Sequence, residues 1–155
     1  MELADILSED AVVICSDIKS KSELLRQLSD CAARVTGQDA ATIFEAVNER
    51  EMLGSTGLGN GIAIPHGKYA GLPGVVAVFA RIEPAIEFEA VDDQLVDIVV
   101  MLLAPLGAGA DHLKALSRVA RLLRTDQVLA RLRSSRDTRE IYEVLTQPLP
   151  SSQAA

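Results

Sequence analysis

The chain has 155 residues, 48% of them hydrophobic and 24% charged, and a net charge of −7. That length suits one compact domain burying roughly two-thirds of its unfolded surface. The acidic balance argues against a nucleic-acid partner, which wants a basic face, and favours a basic protein partner through long-range attraction. Aromatic residues make up 3% with no Trp, too few for a base-stacking or sugar-stacking platform. No apolar run approaches the ~20 residues that span a bilayer. The start, Met1-Glu2-Leu3-Ala4-Asp5, is acidic where a secretory signal would be basic. A cytoplasmic protein that is not membrane-embedded is expected. Cys15 and Cys31 lie in apolar segments without a C-x-x-C pair, which reads as two buried reduced thiols.

In chain order, Leu3 to Leu7 reads as a short amphipathic turn and Ala11 to Cys15 as a first strand. Ser20-Lys21-Ser22-Glu23 has capping-box spacing. Behind it Leu24, Leu25, Leu28, Cys31, Ala32 and Val35 recur at helical spacing until Gly37. Asp39 can cap a second helix with the apolar stripe Ile43, Phe44 and Val47, which a further step of three extends to Arg50. A guanidinium on that side either complements the helix end or pairs with Glu49 or Glu51, or it belongs to an anion site. Met52 to Asn60 reads as a loop and Gly61 to Pro65 as a strand ended by the proline. Val75 to Ala80 and Leu95 to Ala104 are apolar on both faces, the latter broken only by Asp97, as in central strands of a sheet covered on both sides. Glu83-Pro84 breaks the first of these, and Ile86 to Phe88 reads as a short edge segment.

Asp111 is the expected N-cap of a helix with the stripe Leu113, Leu116, Val119, Ala120 and Leu123, while Arg118, Arg121 and Arg124 face water. Shorter helices are expected from Asp126 to Leu132 and from about Asp137 to Thr146. Pro148 and Pro150 lead into a polar tail expected to be disordered, which gives a domain over 1–147 and a tail over 148–155.

The stretch Gly57-Leu58-Gly59-Asn60-Gly61-Ile62-Ala63-Ile64-Pro65-His66-Gly67-Lys68 organises the chemistry. Its glycines do not form a dinucleotide loop, whose G-x-G-x-x-G lies between a strand and a helix. A phosphate-binding G-x-x-x-x-G-K-[ST], a G-x-S-x-G elbow and metal-ligand spacing are also missing from the sequence. The stretch instead puts an imidazole at a strand end, with the Gly67 and Lys68 amides beside it open to an anion. Phosphoryl transfer to histidine needs an unprotonated ring nitrogen, an acceptor fixing the other nitrogen, and donors for a dianion. His66 is the candidate acceptor, with Arg50, the second histidine His112, and the hydroxyls of Ser55 and Thr56 as candidate donors. His112 reads equally as an exposed first-turn residue. Where a positive helix end favours its neutral form, it still donates one hydrogen bond.

Asn48-Glu49-Arg50-Glu51 followed by Gly54-Ser55-Thr56 through Pro65-His66-Gly67 resembles the active-site signature of bacterial phosphotransferase-system enzyme IIA domains of the fructose/mannitol class. It is most similar to the nitrogen-regulatory branch. Leu102-Leu103-Ala104-Pro105 through Asp111-His112-Leu113 resembles that family's second-histidine segment. The resemblance implies a single α/β (α+β) domain, a mixed sheet of about five strands flanked by helices on both sides. It implies that His66 accepts phosphate from a histidine-containing phosphocarrier protein, with Arg50 and His112 stabilising the transferred group and no metal or organic cofactor. It leaves two functions. One is a regulatory phosphoprotein controlling targets such as kinases or transporters; the other is a sugar-transport component passing phosphate to a fructose- or mannitol-type permease. The absence of IIB, IIC and phosphocarrier modules in this sequence favours regulation. A docking surface around His66 is expected to have an apolar collar, with Leu58, Ile62, Leu72 and Leu106 as candidates.

Overall fold

The computed structural model describes residues 2–147, so the tail expected over 148–155 lies outside the described residues. At its centre, β5 (Val76–Ile86) pairs antiparallel with β6 (Val96–Ala104), with Val78 opposite Met101 and Ala80 opposite Val99. Successive residues of both strands are buried, which is why neither shows an alternating pattern. β5 continues through Pro84, where the sequence predicted a break and a separate edge segment. Proline offers no ladder donor, and the register with β6 skips from Arg81–Ile98 to Ile86–Val96.

β1 (Val12–Ser16) lies parallel to β5 on the outer side. On the far side of β6 come β2 (Gly57–Gly59), β3 (Ile62–Ala63) and β4 (His66–Lys68). β3 and β4 run parallel to β6 in succession, and β2 folds back antiparallel on β3. The mixed sheet therefore has six strands in the order β1-β5-β6-β3-β2, with β4 also on β6.

Two sequence expectations change here. Gly57–Gly59 is a strand rather than loop, because Asn60 (φ 56°) and Gly61 (φ 81°) form a tight two-residue turn with both residues in the left-handed region. Arg133 holds that turn, with Nε and Nη2 on the Asp97 carboxylate at 3.0 and 2.9 Å and Nη2 on the Asn60 carbonyl at 2.6 Å. Pro65 interrupts the edge strand but does not end it. Its carbonyl accepts from Leu102 N at 3.0 Å, and pairing resumes with His66 opposite Leu102.

α1 (Lys21–Thr36) starts at Ser20, whose Oγ accepts from Glu23 N at 3.1 Å, and ends at Gly37 with φ 75°. α2 (Ala40–Met52) is capped by Asp39, which accepts from Thr42 N at 2.9 Å. α1 and α2 pack together, with α1 on β5 and α2 on β4. α3 (Gly109–Leu123), α4 (Asp126–Ser134) and α5 (Thr138–Thr146) pack in succession, with α3 on β6 and α5 on β1. The two helical groups cover the two faces of the sheet. Cys15 and Cys31 are buried free thiols, and burial is the main cause pushing both up in pKa.

Both helices that carry candidate site residues are rotated from the sequence reading. In α2 the inward stripe is Ile43, Val47 and Glu51, so the charge carried inside belongs to Glu51 rather than Arg50. α3 begins at Gly109, before the predicted cap Asp111, with His112 N donating to the Ala108 carbonyl at 2.8 Å. Its buried stripe is His112, Ala115, Val119, Leu122 and Leu123, which leaves Leu113 on the surface at 66% exposure.

Gly67 lets α2 lie directly on β4: a Cβ there would meet the Ala46 carbonyl carbon at 3.1 Å and Val47 N at 3.2 Å. Both contacts are backbone atoms and cannot rotate away. Gly67→Ala should therefore lower stability by about 1–3 kcal/mol in chemical denaturation, as overpacking does. Gly74→Ala, with no atom within 4 Å of the added methyl, should stay within about 0.5 kcal/mol of the parent.

Candidate functional site

β4 and the start of α3 meet at a pocket of about 470 Å³ lined by Arg50, His66, Gly67, Lys68, Gly109, His112, Leu113 and Leu116. The imidazoles of His66 and His112 lie edge to face, with ring centroids 5.3 Å apart and planes at 80°. His66 is half-buried, and its Nδ1 lies 2.8 Å from the Ile64 carbonyl oxygen. A carbonyl only accepts, so Nδ1 carries the proton and Nε2 keeps its lone pair. The sequence left open which ring nitrogen would be reactive; this contact leaves Nε2 as the nitrogen with a free lone pair.

His112 is buried at 8% exposure rather than standing on the surface of the first turn. Burial lowers its pKa, helped by the neighbouring His66 ring and the Lys68 ammonium, so the ring is neutral near pH 7. Its Nδ1 is sealed from solvent with no hydrogen-bond partner among the described residues. A bare nitrogen tolerates that position better than an N–H donor without an acceptor, which places the proton on Nε2.

Arg50, in the last turn of α2, donates from Nη1 to the Gly54 carbonyl at 3.0 Å and makes no ion pair among the described residues. Its predicted pairing with Glu49 or Glu51 is not formed. One carbonyl occupies one of five guanidinium donors, so among the described residues the rest are left free at the pocket wall.

Backbone amides contribute differently from the sequence expectation. The Pro65 carbonyl and Tyr69 N face β6, and strand alternation puts Gly67 on the same side. The amides of His66 and Lys68 point instead to the outer edge of β4, which pairs only with β6. α3 has no side-chain N-cap, unlike α1, α2 and α5. Its first-turn amides at Gly109, Ala110 and Asp111 are therefore orphan donors beside the pocket, where the helix dipole favours an anion.

The structure does not bring Ser55 and Thr56 into the pocket lining. Ser55 Oγ donates to the Phe88 carbonyl at 2.8 Å, and Thr56 Oγ1 donates to Glu51 Oε1 at 2.5 Å. Of the expected collar, Ile62 and Leu72 are core residues at 2% and 7% exposure. Leu106 and Leu58 are exposed, and the exposed leucines on segments framing the pocket are Leu53, Leu106 and Leu113. Sequence reasoning missed Glu51, although its i+4 spacing from Val47 marks the same face, and it missed the outward turn of Leu113. No group of three or more His, Cys, Asp or Glu is placed to hold a metal among the described residues.

The family model described as "Phosphoenolpyruvate-dependent sugar phosphotransferase system, EIIA 2" matches residues 5–147. A "Nitrogen regulatory protein" of Bradyrhizobium diazoefficiens is 47% identical over 148 residues, covering 96% of this chain and 97% of its own length. A "PTS system fructose-specific EIIA component" of Haloferax volcanii is 36% identical over 125 residues, 81% of this chain and 80% of that protein. The crystal structure of nitrogen regulatory protein IIA-Ntr from Neisseria meningitidis superimposes with a TM-score of 0.87 at 32% identity, covering 93% of this chain and 99% of that one. By sequence along nearly its whole length, and by fold, the chain belongs to the EIIA 2 family of the phosphoenolpyruvate-dependent sugar phosphotransferase system.

Proposed function

We propose that His66 Nε2 accepts a phosphoryl group from a histidine-containing phosphocarrier protein, and that the chain is a cytoplasmic nitrogen-regulatory protein whose phosphorylation state controls partner proteins. The observation carrying this is the 2.8 Å contact between His66 Nδ1 and the Ile64 carbonyl, in a pocket shared with a neutral His112 and Arg50. In the transfer, the Nε2 lone pair attacks phosphorus and forms an N–P bond. The donor's N–P bond breaks, and its electron pair returns to the donor ring. No proton has to move, because Nδ1 keeps its hydrogen on the Ile64 carbonyl, which also stabilises the positive charge the ring acquires.

The transferred group brings about −1.5 to −2 charge at neutral pH. His112 Nε2–H, the free guanidinium donors of Arg50 and the orphan amides of α3 are the groups that receive it. Regulation is favoured by the Bradyrhizobium and Neisseria relatives, both described as nitrogen regulatory proteins. The Haloferax relative, described as a fructose-specific EIIA component, supports the second reading, transfer to a sugar-permease component.

Labelling through a phosphoenolpyruvate-driven donor cascade tests the assignment. His66→Ala should take no label. His112→Ala should slow labelling or shorten the lifetime of the phosphoprotein. Arg50→Ala should cost about 1.5–3 kcal/mol of phosphoryl-group stabilisation, and wild-type kinetics there would remove Arg50 from the site. Transfer onward to a fructose-type or mannitol-type IIB component at a rate comparable to that of a sugar-specific IIA would replace regulation by transport.

A pH dependence follows from the buried imidazole. The pKa of His112 is below its ordinary value of 6.5 in the folded protein, so the unfolded chain binds more protons as pH falls past that value. Stability should be flat with respect to this group above about pH 7 and decline between about pH 6.5 and the lowered pKa. Urea titrations of His112→Gln should show a smaller acid-side decline than the parent.

A further inference from the structure

Glu51 is almost fully buried, with 2% of its side chain exposed. An isolated carboxylate in such a place costs several kcal/mol, and here every contact answers that cost. Oε2 takes Lys21 Nζ at 2.8 Å and Thr56 N at 2.8 Å, while Oε1 takes the Thr56 hydroxyl at 2.5 Å. Lys21 is itself held, its ammonium 4.5 Å above the Phe88 ring and 3.5 Å from the Phe88 carbonyl. A buried ion pair of this kind adds little stability over apolar residues of the same volume, so what it contributes is geometry.

The next links are backbone. The Thr56 carbonyl accepts from Ile64 N at 3.1 Å, closing the base of the β2–β3 hairpin. The Ile64 carbonyl accepts from His66 Nδ1 at 2.8 Å. A continuous chain of contacts thus runs from Lys21 through Glu51, Thr56 and Ile64 to the imidazole. We infer that Glu51, locked by Lys21, is a positioning residue for His66: by fixing Thr56 it fixes the Ile64 carbonyl, and so the tautomer that leaves Nε2 free to react.

The inference rests on the phosphoryl-acceptor reading of His66 for its consequence, while its primary readout needs no phosphate. Long-range ¹⁵N–¹H spectra of the histidine rings in the full chain report the tautomer directly. The wild type should show His66 protonated on Nδ1. Glu51→Gln and Thr56→Val should raise the Nε2–H population and slow labelling about tenfold, at the low end for loss of a group that orients an imidazole. Thr56→Val removes only the hydroxyl contact and decides the matter should Glu51→Gln fail to fold. Leu132→Ala, a fully buried position outside this chain of contacts, should destabilise the protein without moving the His66 tautomer. A wild-type tautomer or a wild-type labelling rate in the folded variants overturns the inference. A shifted tautomer in a protein whose wild type takes no label leaves the positioning role standing and removes the phosphocarrier reading instead.

Discussion

The hydrogen bond from His66 Nδ1 to the Ile64 carbonyl depends on strand alternation at the rim of the sheet. Gly61 and Pro65 both give their carbonyls to β6, so strand alternation turns the Ile64 carbonyl away from β6 and leaves it for the ring. Pro65, between β3 and β4, has no N–H to give to β6, while its own carbonyl still accepts from Leu102 N. The register on β6 is the same on both sides of the proline, with Ile62 opposite Ile98 and His66 opposite Leu102. The outward carbonyl meets the ring while His66 itself stays on rigid sheet. The same element thus supplies both orientation and stiffness, and neither requires a loop.

The electrostatics of the pocket run against those of the whole molecule. The chain carries a net charge of −7, yet the lining includes Arg50, Lys68 and two imidazoles with no carboxylate. The nearest buried acid, Glu51, is turned away and neutralised by Lys21. α3 adds to this by starting without a side-chain cap, which leaves its amides and the positive end of its dipole at the pocket. A capping side chain at position 108, where the N-cap is Ala108, would have consumed one of those donors. On the proposed reading, both the early helix start and the neutrality of His112 serve an environment that accepts an anion without holding one of its own.

How far the sequence revealed this depended on how local each signal was. Ser20, Gly37 and Asp39 were readable as caps because their partners lie within one turn. β5 and β6 were readable because burial on both faces requires apolar residues throughout. The β2 strand was not, since glycines have poor strand propensity, although Asn60-Gly61 is a strong hairpin dipeptide and marks the turn. The α3 start was misplaced because Asp111 is a good capping residue, and nothing nearby shows that the helix goes uncapped. Hydropathy could not find Glu51: a charged residue belongs to an inward stripe only if a partner from another helix meets it, and Lys21 is that partner. The candidate residues were visible; the convergence of Arg50, His66 and His112 on one pocket, and the ring nitrogen left with a free lone pair, required the fold.

On the proposed reading, the switch acts by charge on a fixed frame. The phosphoryl group would sit between an edge strand and a helix start, both anchored to β6, so its arrival need not move either. What changes is the surface. Leu53, Leu106 and Leu113 stand exposed on the segments around the pocket, and a partner that covers them must also desolvate whatever lies between. Over a neutral imidazole that cost is small. Over a dianion it is large unless the partner brings cations of its own. A target with an apolar, uncharged face would therefore bind only the unmodified protein, and a target with a basic face would prefer the phosphorylated one. One pocket can thereby sort two kinds of partner without any change of backbone.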